Sequence, residues 1–114
     1  MMWGEVELEP EVEQWFDTLD QSSQETAAFY IDLLAERGAL LGEPYTKQLH
    51  GKLRELRFHL ERQQVRVTYW IAPGRRIILL TVFRKQRRRE SVEIERAWRA
   101  MRRCMVEAHT ADEE

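Results

Sequence analysis

Residues 53–83 read LRELRFHLERQQVRVTYWIAPGRRIILLTVF. Period two governs the stretch. In 53–60, Leu56, Phe58 and Leu60 point one way while Glu55, Arg57 and His59 point the other. In 64–71, Val65, Val67, Tyr69 and Ile71 oppose Arg66, Thr68 and Trp70. Pro73-Gly74 supplies the two central residues that a type II turn prefers. Residues 76–83 are apolar on both faces, as in a central strand covered from each side. The pattern predicts a three-stranded antiparallel meander with one apolar and one polar face.

The chain before the meander changes period twice. Met2, Gly4, Val6 and Leu8 alternate with Trp3, Glu5 and Glu7, which suits a short edge strand. Pro10 opens a helix at the position where its missing N–H costs nothing, and Val12, Trp15, Phe16 and Leu19 form the apolar stripe. Ser22 and Glu25 have capping-box spacing for a second helix, with Ala27, Ile31 and Leu34 inward and a stop near Gly38. The short break between the helices predicts an antiparallel hairpin. Residues 39–51, ALLGEPYTKQLHG, read as a loop punctuated by Gly42, Pro44 and Gly51. After the meander, Ser91 can cap a last helix with Ile94, Trp98, Met101 and Met105 at helical spacing. The fold class is α+β: N-terminal strand, helix hairpin, antiparallel meander sheet, C-terminal helix. One domain over 1–106 and a polar tail over 107–114 account for the 114 residues.

Composition excludes several classes. A 43% hydrophobic share is enough for one core, and no apolar run approaches the ~20 residues of a membrane span. The acidic N-terminus is unlike a signal peptide, and the single cysteine, Cys104, gives neither a disulfide framework nor a metal pattern. A soluble cytoplasmic protein is expected, with no membrane partner.

The net charge of −2 conceals a strong asymmetry. Residues 1–46 hold eleven acids against Arg37 alone, whereas residues 47–103 hold seventeen basic residues against five acids. The run FRKQRRR at 83–89 concentrates that charge where the last strand leaves the sheet. A basic half of this size points to a polyanionic partner, although opposed acidic and basic faces could also simply solvate the domain. Strand parity brings Arg57, His59, Arg66, Thr68 and Trp70 to one side of two neighbouring strands. Arginine forks match phosphate oxygens and stabilise charge developing on a phosphate under attack. Trp70 offers a face for base stacking. His59 has the one side chain there whose ordinary pKa suits proton transfer near neutrality. Read singly, His59 is a part-exposed strand histidine and Trp70 a core residue.

The order of elements, together with KQLHGKLRELRFHL (47–60), VRVTYWI (65–71) and IILLTVFRKQRRR followed by ESVEIERA (77–97), resembles the RelE/ParE toxin superfamily. Within it the chain looks like the phage-derived HigB-type toxins. The resemblance implies the toxin half of a type II toxin–antitoxin pair, with a cognate helix-turn-helix antitoxin. It implies an endoribonuclease that cuts mRNA in the ribosome without metal or other cofactor. The ParE branch implies instead a DNA gyrase inhibitor, and a non-catalytic nucleic-acid-binding protein stays open beside it.

Carried over residue by residue, Arg66 takes a phosphate-contacting catalytic role. Arg57 and His59 match the basic positions of the preceding strand, and Lys85 completes the expected catalytic set. Arg54, Trp70, Arg84, Arg87 and Arg88 are the expected RNA contacts. The chain departs from relatives that place a tyrosine or histidine near the start of the last helix. ESVEIERA has neither, and His109 is the sole later histidine, so the acid–base pair is incompletely assigned.

Overall fold

The computed structural model describes residues 2–85 and 90–113, with side chains as far as residue 107. In chain order the elements are β1 (Glu5–Leu8), α1 (Pro10–Thr18), α2 (Gln21–Arg37), a 3-10 turn (Gly38–Leu40), β2 (Thr46–His50), β3 (Leu53–Leu60), β4 (Gln63–Ala72), β5 (Arg76–Arg84) and α3 (Glu90–Glu113). One five-stranded sheet runs β1-β5-β4-β3-β2. Its meander is antiparallel, and β1 adds parallel to β5.

Two cores follow from the two sheet faces. The apolar face of the meander, with Leu56, Phe58, Val65, Val67, Tyr69, Ile77 and Leu79, is covered by Val12 of α1 and Ala27 and Leu34 of α2. The opposite face carries Leu53, Trp70, Ala72, Ile78 and Leu80 under Ala97, Met101 and Cys104 of α3. The acid-rich hairpin therefore sits behind the sheet from Arg57 and Arg66. Trp3 is held by its N–H to the Ala35 carbonyl (2.9 Å), and its ring lies on Gly38. A Cβ at Gly38, where φ is +50°, would come within 1.9 Å of that ring, so only glycine fits there.

The boundaries correct several expectations. Residues 39–51 are not all loop, because Thr46–His50 pair with β3 as an edge strand. The second helix starts earlier than Ser22: the Asp20 carboxylate caps it by accepting from the Ser23 N–H at 2.8 Å. Ser91 lies inside α3, and the 107–114 tail continues helical to Glu113. The β3–β4 connection is a two-residue hairpin with Glu61 and Arg62 at φ 48° and 72°, the positive values that a type I′ turn demands at both centres. Gly74 (φ 84°) serves the β4–β5 turn as predicted, with Arg75 also left-handed.

One irregularity decides which side chains reach the site. Thr68 pairs with Thr81 but Tyr69 pairs with Leu79, so Leu80 is an extra residue in β5. Leu80 and Thr81 then face the same side, and every later residue of β5 turns over. Beyond the Leu8–Leu79 pair β1 ends, and the edge of β5 that it leaves open has side-chain partners. The Val82 N–H donates to Glu11 of α1 (3.0 Å), Arg96 of α3 donates to the Val82 carbonyl (3.3 Å), and Arg96 also pairs with Glu11. The Thr68 and Thr81 hydroxyls lie 2.5 Å apart in the buried layer beside it.

Candidate phosphate-binding groove

Among the described residues, α3 packs over the Trp70 end of the sheet's second face and leaves the other end uncovered. There Arg57 of β3 stands directly opposite Arg66 of β4, and His59 directly opposite Gln64. The same parity adds Glu55 to the layer. Its carboxylate lies 3.6 Å from Arg57 Nε and 3.5 Å from Arg66 Nε. Arg66 also donates to Gln64 Oε1 at 3.0 Å. The Arg66 side chain is 5% exposed, against 27% for Arg57. Arg66 is thus held by one hydrogen bond and an ion pair in a buried setting, and Arg57 is the freer fork.

A groove of about 370 Å³ opens at this place, lined by Arg57, His59, Gln64 and Arg66 on one wall and by Tyr30, Pro44 and Tyr45 on the other, with Phe58 between. It exists because β2 stops short. Beyond the Thr46–Leu56 pair the chain leaves β3, keeping only the bond from the Arg57 N–H to the Tyr45 carbonyl (2.8 Å). The far end of β3 therefore presents an edge around which both walls wrap.

Electrostatics at the base of the groove reflect a contest between burial and pairing. Burial pushes the Glu55 carboxyl above its ordinary range, and the Arg66 and Arg57 charges only partly oppose this. Burial likewise lowers Arg66, with Glu55 opposing. Both shifts say that the ions lose more hydration than they regain from each other at 3.5 Å, a common outcome for enclosed pairs. Incoming phosphate would add the missing negative charge beside the guanidiniums.

The predicted residues separate into three groups. Arg57, His59 and Arg66 meet at the groove as expected. Lys85 is exposed, and its backbone N–H donates to the Gln64 carbonyl at 2.9 Å, so the bulge carries it to the Gln64 and Arg66 side of the sheet, though it does not line the groove. Arg87 and Arg88 lie outside the described residues.

Three contacts need correction. Trp70 does share the Arg66 face, but it is 4% exposed beneath α3, so no base can stack on it. Arg54 is on the opposite face and is spent internally, donating to the Tyr69 hydroxyl (3.3 Å) and to Thr46 Oγ1 (3.2 Å). Arg84 pairs with Val65 and lies with Trp15, Asp20 and Glu61 at the hairpin side, turned there by the bulge. Arg66 is on the polar face of its strand as expected, but it is buried there.

The sequence reading gave no role to Glu55, although alternation had placed it beside Arg57. Nor did it find Tyr30 or Tyr45, which come from a helix and a loop that no strand periodicity connects to β3. Glu55 does not line the groove and meets it only through the two arginines. Among the described residues no group of three or more His, Cys, Asp or Glu is placed to hold a metal ion, and no helix is long and apolar enough to cross a membrane.

Comparison with known proteins agrees with this architecture. An Escherichia coli toxin RelE structure, an arginine-substituted mutant in the free state, is 12% identical with a TM-score of 0.59, covering 90% of this chain and 98% of that one. At that identity the likeness establishes the fold, which is the RelE-type α+β fold expected from the sequence. No curated protein matches the chain. The family model for phage-derived protein Gp49-like matches residues 14–104, a span that runs from α1 into α3 and contains every described residue of the groove. The chain belongs to the phage-derived Gp49-like family.

Proposed function

We propose that the chain is the toxin half of a type II toxin–antitoxin pair, of HigB type, and that it acts as an endoribonuclease on mRNA held in the ribosome. The observation that carries this reading is the Arg57–Arg66 pair, set side by side across two strands at the foot of an open groove that also holds His59. The RelE fold and membership of the Gp49-like family support it.

In this reading the ribose 2′-hydroxyl attacks the adjacent phosphate and the 5′-oxygen of the next nucleotide leaves, giving a 2′,3′-cyclic phosphate. DNA lacks the attacking group. Arg57 binds the phosphate, while Arg66, held by Glu55 and Gln64, faces the charge that builds on its oxygens. A fixed cation costs no reorganisation when that charge appears. His59 is the groove's imidazole and takes the 2′-hydroxyl proton, and the leaving 5′-oxygen takes a proton from Lys85, on the same side of the sheet, or from water. The reading uses no metal or other cofactor, because two guanidiniums supply the positive charge.

The acid–base set is thin for an unaided nuclease, so positioning by the ribosome is part of the proposal. The cognate helix-turn-helix antitoxin covers the basic exit of β5 with acidic side chains, and its association rate should fall with salt. The test is to incubate purified protein with mRNA, with and without ribosomes. Cutting with ribosomes only is expected. Efficient cutting of naked RNA refutes the ribosome requirement, and no cutting in either case refutes the nuclease in favour of a gyrase inhibitor or a binding protein.

A further inference from the structure

The second wall of the groove is aromatic and has no part in the chemistry described above. Tyr30 of α2 stacks on Phe58 with ring centroids 5.1 Å apart and planes 8° from parallel. Tyr45, from the loop before β2, lies 6.4 Å from Tyr30 at 39°. Phe58 is buried, Tyr30 is half-buried and Tyr45 is 38% exposed, so the series grades from core to solvent. Tyr45 is tied to the arginine wall by backbone: its carbonyl accepts from the Arg57 N–H at 2.8 Å. The aromatic series and the phosphate-binding forks therefore line one groove from the two faces of the sheet, meeting around the edge of β3 and held in register by a main-chain bond.

We propose that Tyr45, backed by Tyr30 and Phe58, is the platform for one nucleobase, and that it places that base so its own 3′-phosphate falls on Arg57 and Arg66. This rests on the nuclease reading and adds to it a base subsite that replaces the buried Trp70. The ligand is a planar ring joined to a phosphate. At about 370 Å³ the groove is near the lower limit of small-molecule sites, ~300–1,000 Å³, which suits about one nucleotide. Stacking tolerates any base, so the subsite fixes position more than sequence. The core to which Tyr30 and Phe58 belong keeps the platform rigid, and little ordering is lost when a base lands on it.

The probes are a ribonucleoside 3′-monophosphate and inorganic phosphate, titrated calorimetrically into the full-length parent, Tyr45→Ala and Tyr45→Phe. Removing one base stack is expected to weaken nucleotide binding roughly 5- to 150-fold. Inorganic phosphate should bind Tyr45→Ala as it binds the parent, and Tyr45→Phe should keep both affinities, because stacking needs the ring and not the hydroxyl. The partly exposed side chain makes unfolding of either variant unexpected, and thermal melts check it.

Equal loss of both ligands in Tyr45→Ala, no loss of either, or loss of the nucleotide in Tyr45→Phe overturns the platform. Ribosome-dependent cleavage by the parent separates the two ideas. If the parent cuts mRNA and Tyr45→Ala cuts with unchanged KM and kcat, the subsite fails and the nuclease stands. If the parent binds the nucleotide through Tyr45 yet never cuts, the nuclease fails and the subsite stands.

Discussion

Replacing Glu55 by Gln removes the one negative charge within 3.6 Å of both arginines while leaving an amide oxygen that can still accept from them. Breaking a buried ion pair ordinarily costs ~3–5 kcal/mol, because the surviving charge is stranded. Here the opposite balance holds. The folded protein raises the Glu55 pKa despite both arginines, so it favours the uncharged form that Gln imitates. The unfolded chain releases this proton nearer the ordinary value of 4.5, and the folded chain holds it to higher pH. The parent must then lose stability as pH rises from the ordinary value through the raised one, and Glu55→Gln must lack that slope.

Binding changes too. A phosphate seated on the groove side of the guanidiniums lies roughly 7 Å from the carboxylate; at an effective dielectric of about 40, the repulsion removed is about 1 kcal/mol, or about fivefold in affinity. Phosphate titration and melts across mildly acidic to mildly alkaline pH measure both effects. Weaker phosphate binding in Glu55→Gln, or a loss of several kcal/mol at alkaline pH, would refute this account of the pair.

Three other substitutions and one reaction test the placement of residues. Trp70→Ala should destabilise by ~3–5 kcal/mol through the cavity left under α3, read from denaturant unfolding, while phosphate binding is unchanged; lost binding with intact stability would return Trp70 to the site. Because the bulge puts Arg84 on the hairpin side and Lys85 on the Arg66 side, Lys85→Ala should weaken phosphate binding by about twofold or more through its lost charge, and Arg84→Ala should leave it alone. Cys104 is buried, and burial raises its thiol, so alkylation should be slow in the native protein and fast in denaturant. Rapid native alkylation would contradict the packing of α3 on β5.

The meander was legible because residues 53–60 and 64–71 alternate cleanly, and the prediction that one face is polar follows from the same alternation. β2 was not, since TKQLH is short, largely exposed and flanked by Pro44 and Gly51, which read as loop. Parity correctly put Trp70 beside Arg66. It could not say that α3 would close over one end of that face, because the register of a helix on a sheet is set by tertiary packing. The bulge at Leu80 explains the error at Arg84. In an unbroken strand, Ile78, Leu80, Val82 and Arg84 would share a side, and Arg84 would stand with Arg66. One extra residue moves Arg84 to the hairpin side and brings Lys85 round. Nothing in the run IILLTVF marks where it falls. Asp20 took the cap that Ser22 was expected to make because the helix begins two residues earlier, at Gln21.

The most direct measurement of the catalytic claim is single-turnover cleavage of ribosome-bound mRNA by Arg66→Ala made in the Glu55→Gln background. The second substitution keeps Glu55 from being stranded, so the variant should melt cooperatively and the rate can be read without a folding defect. Compared with Glu55→Gln alone, loss of the fixed cation at the developing phosphate charge should slow cleavage by about 100- to 1,000-fold. A double variant that cuts within about threefold of Glu55→Gln, far short of a lost transition-state contact, would make Arg66 a structural arginine and contradict the account.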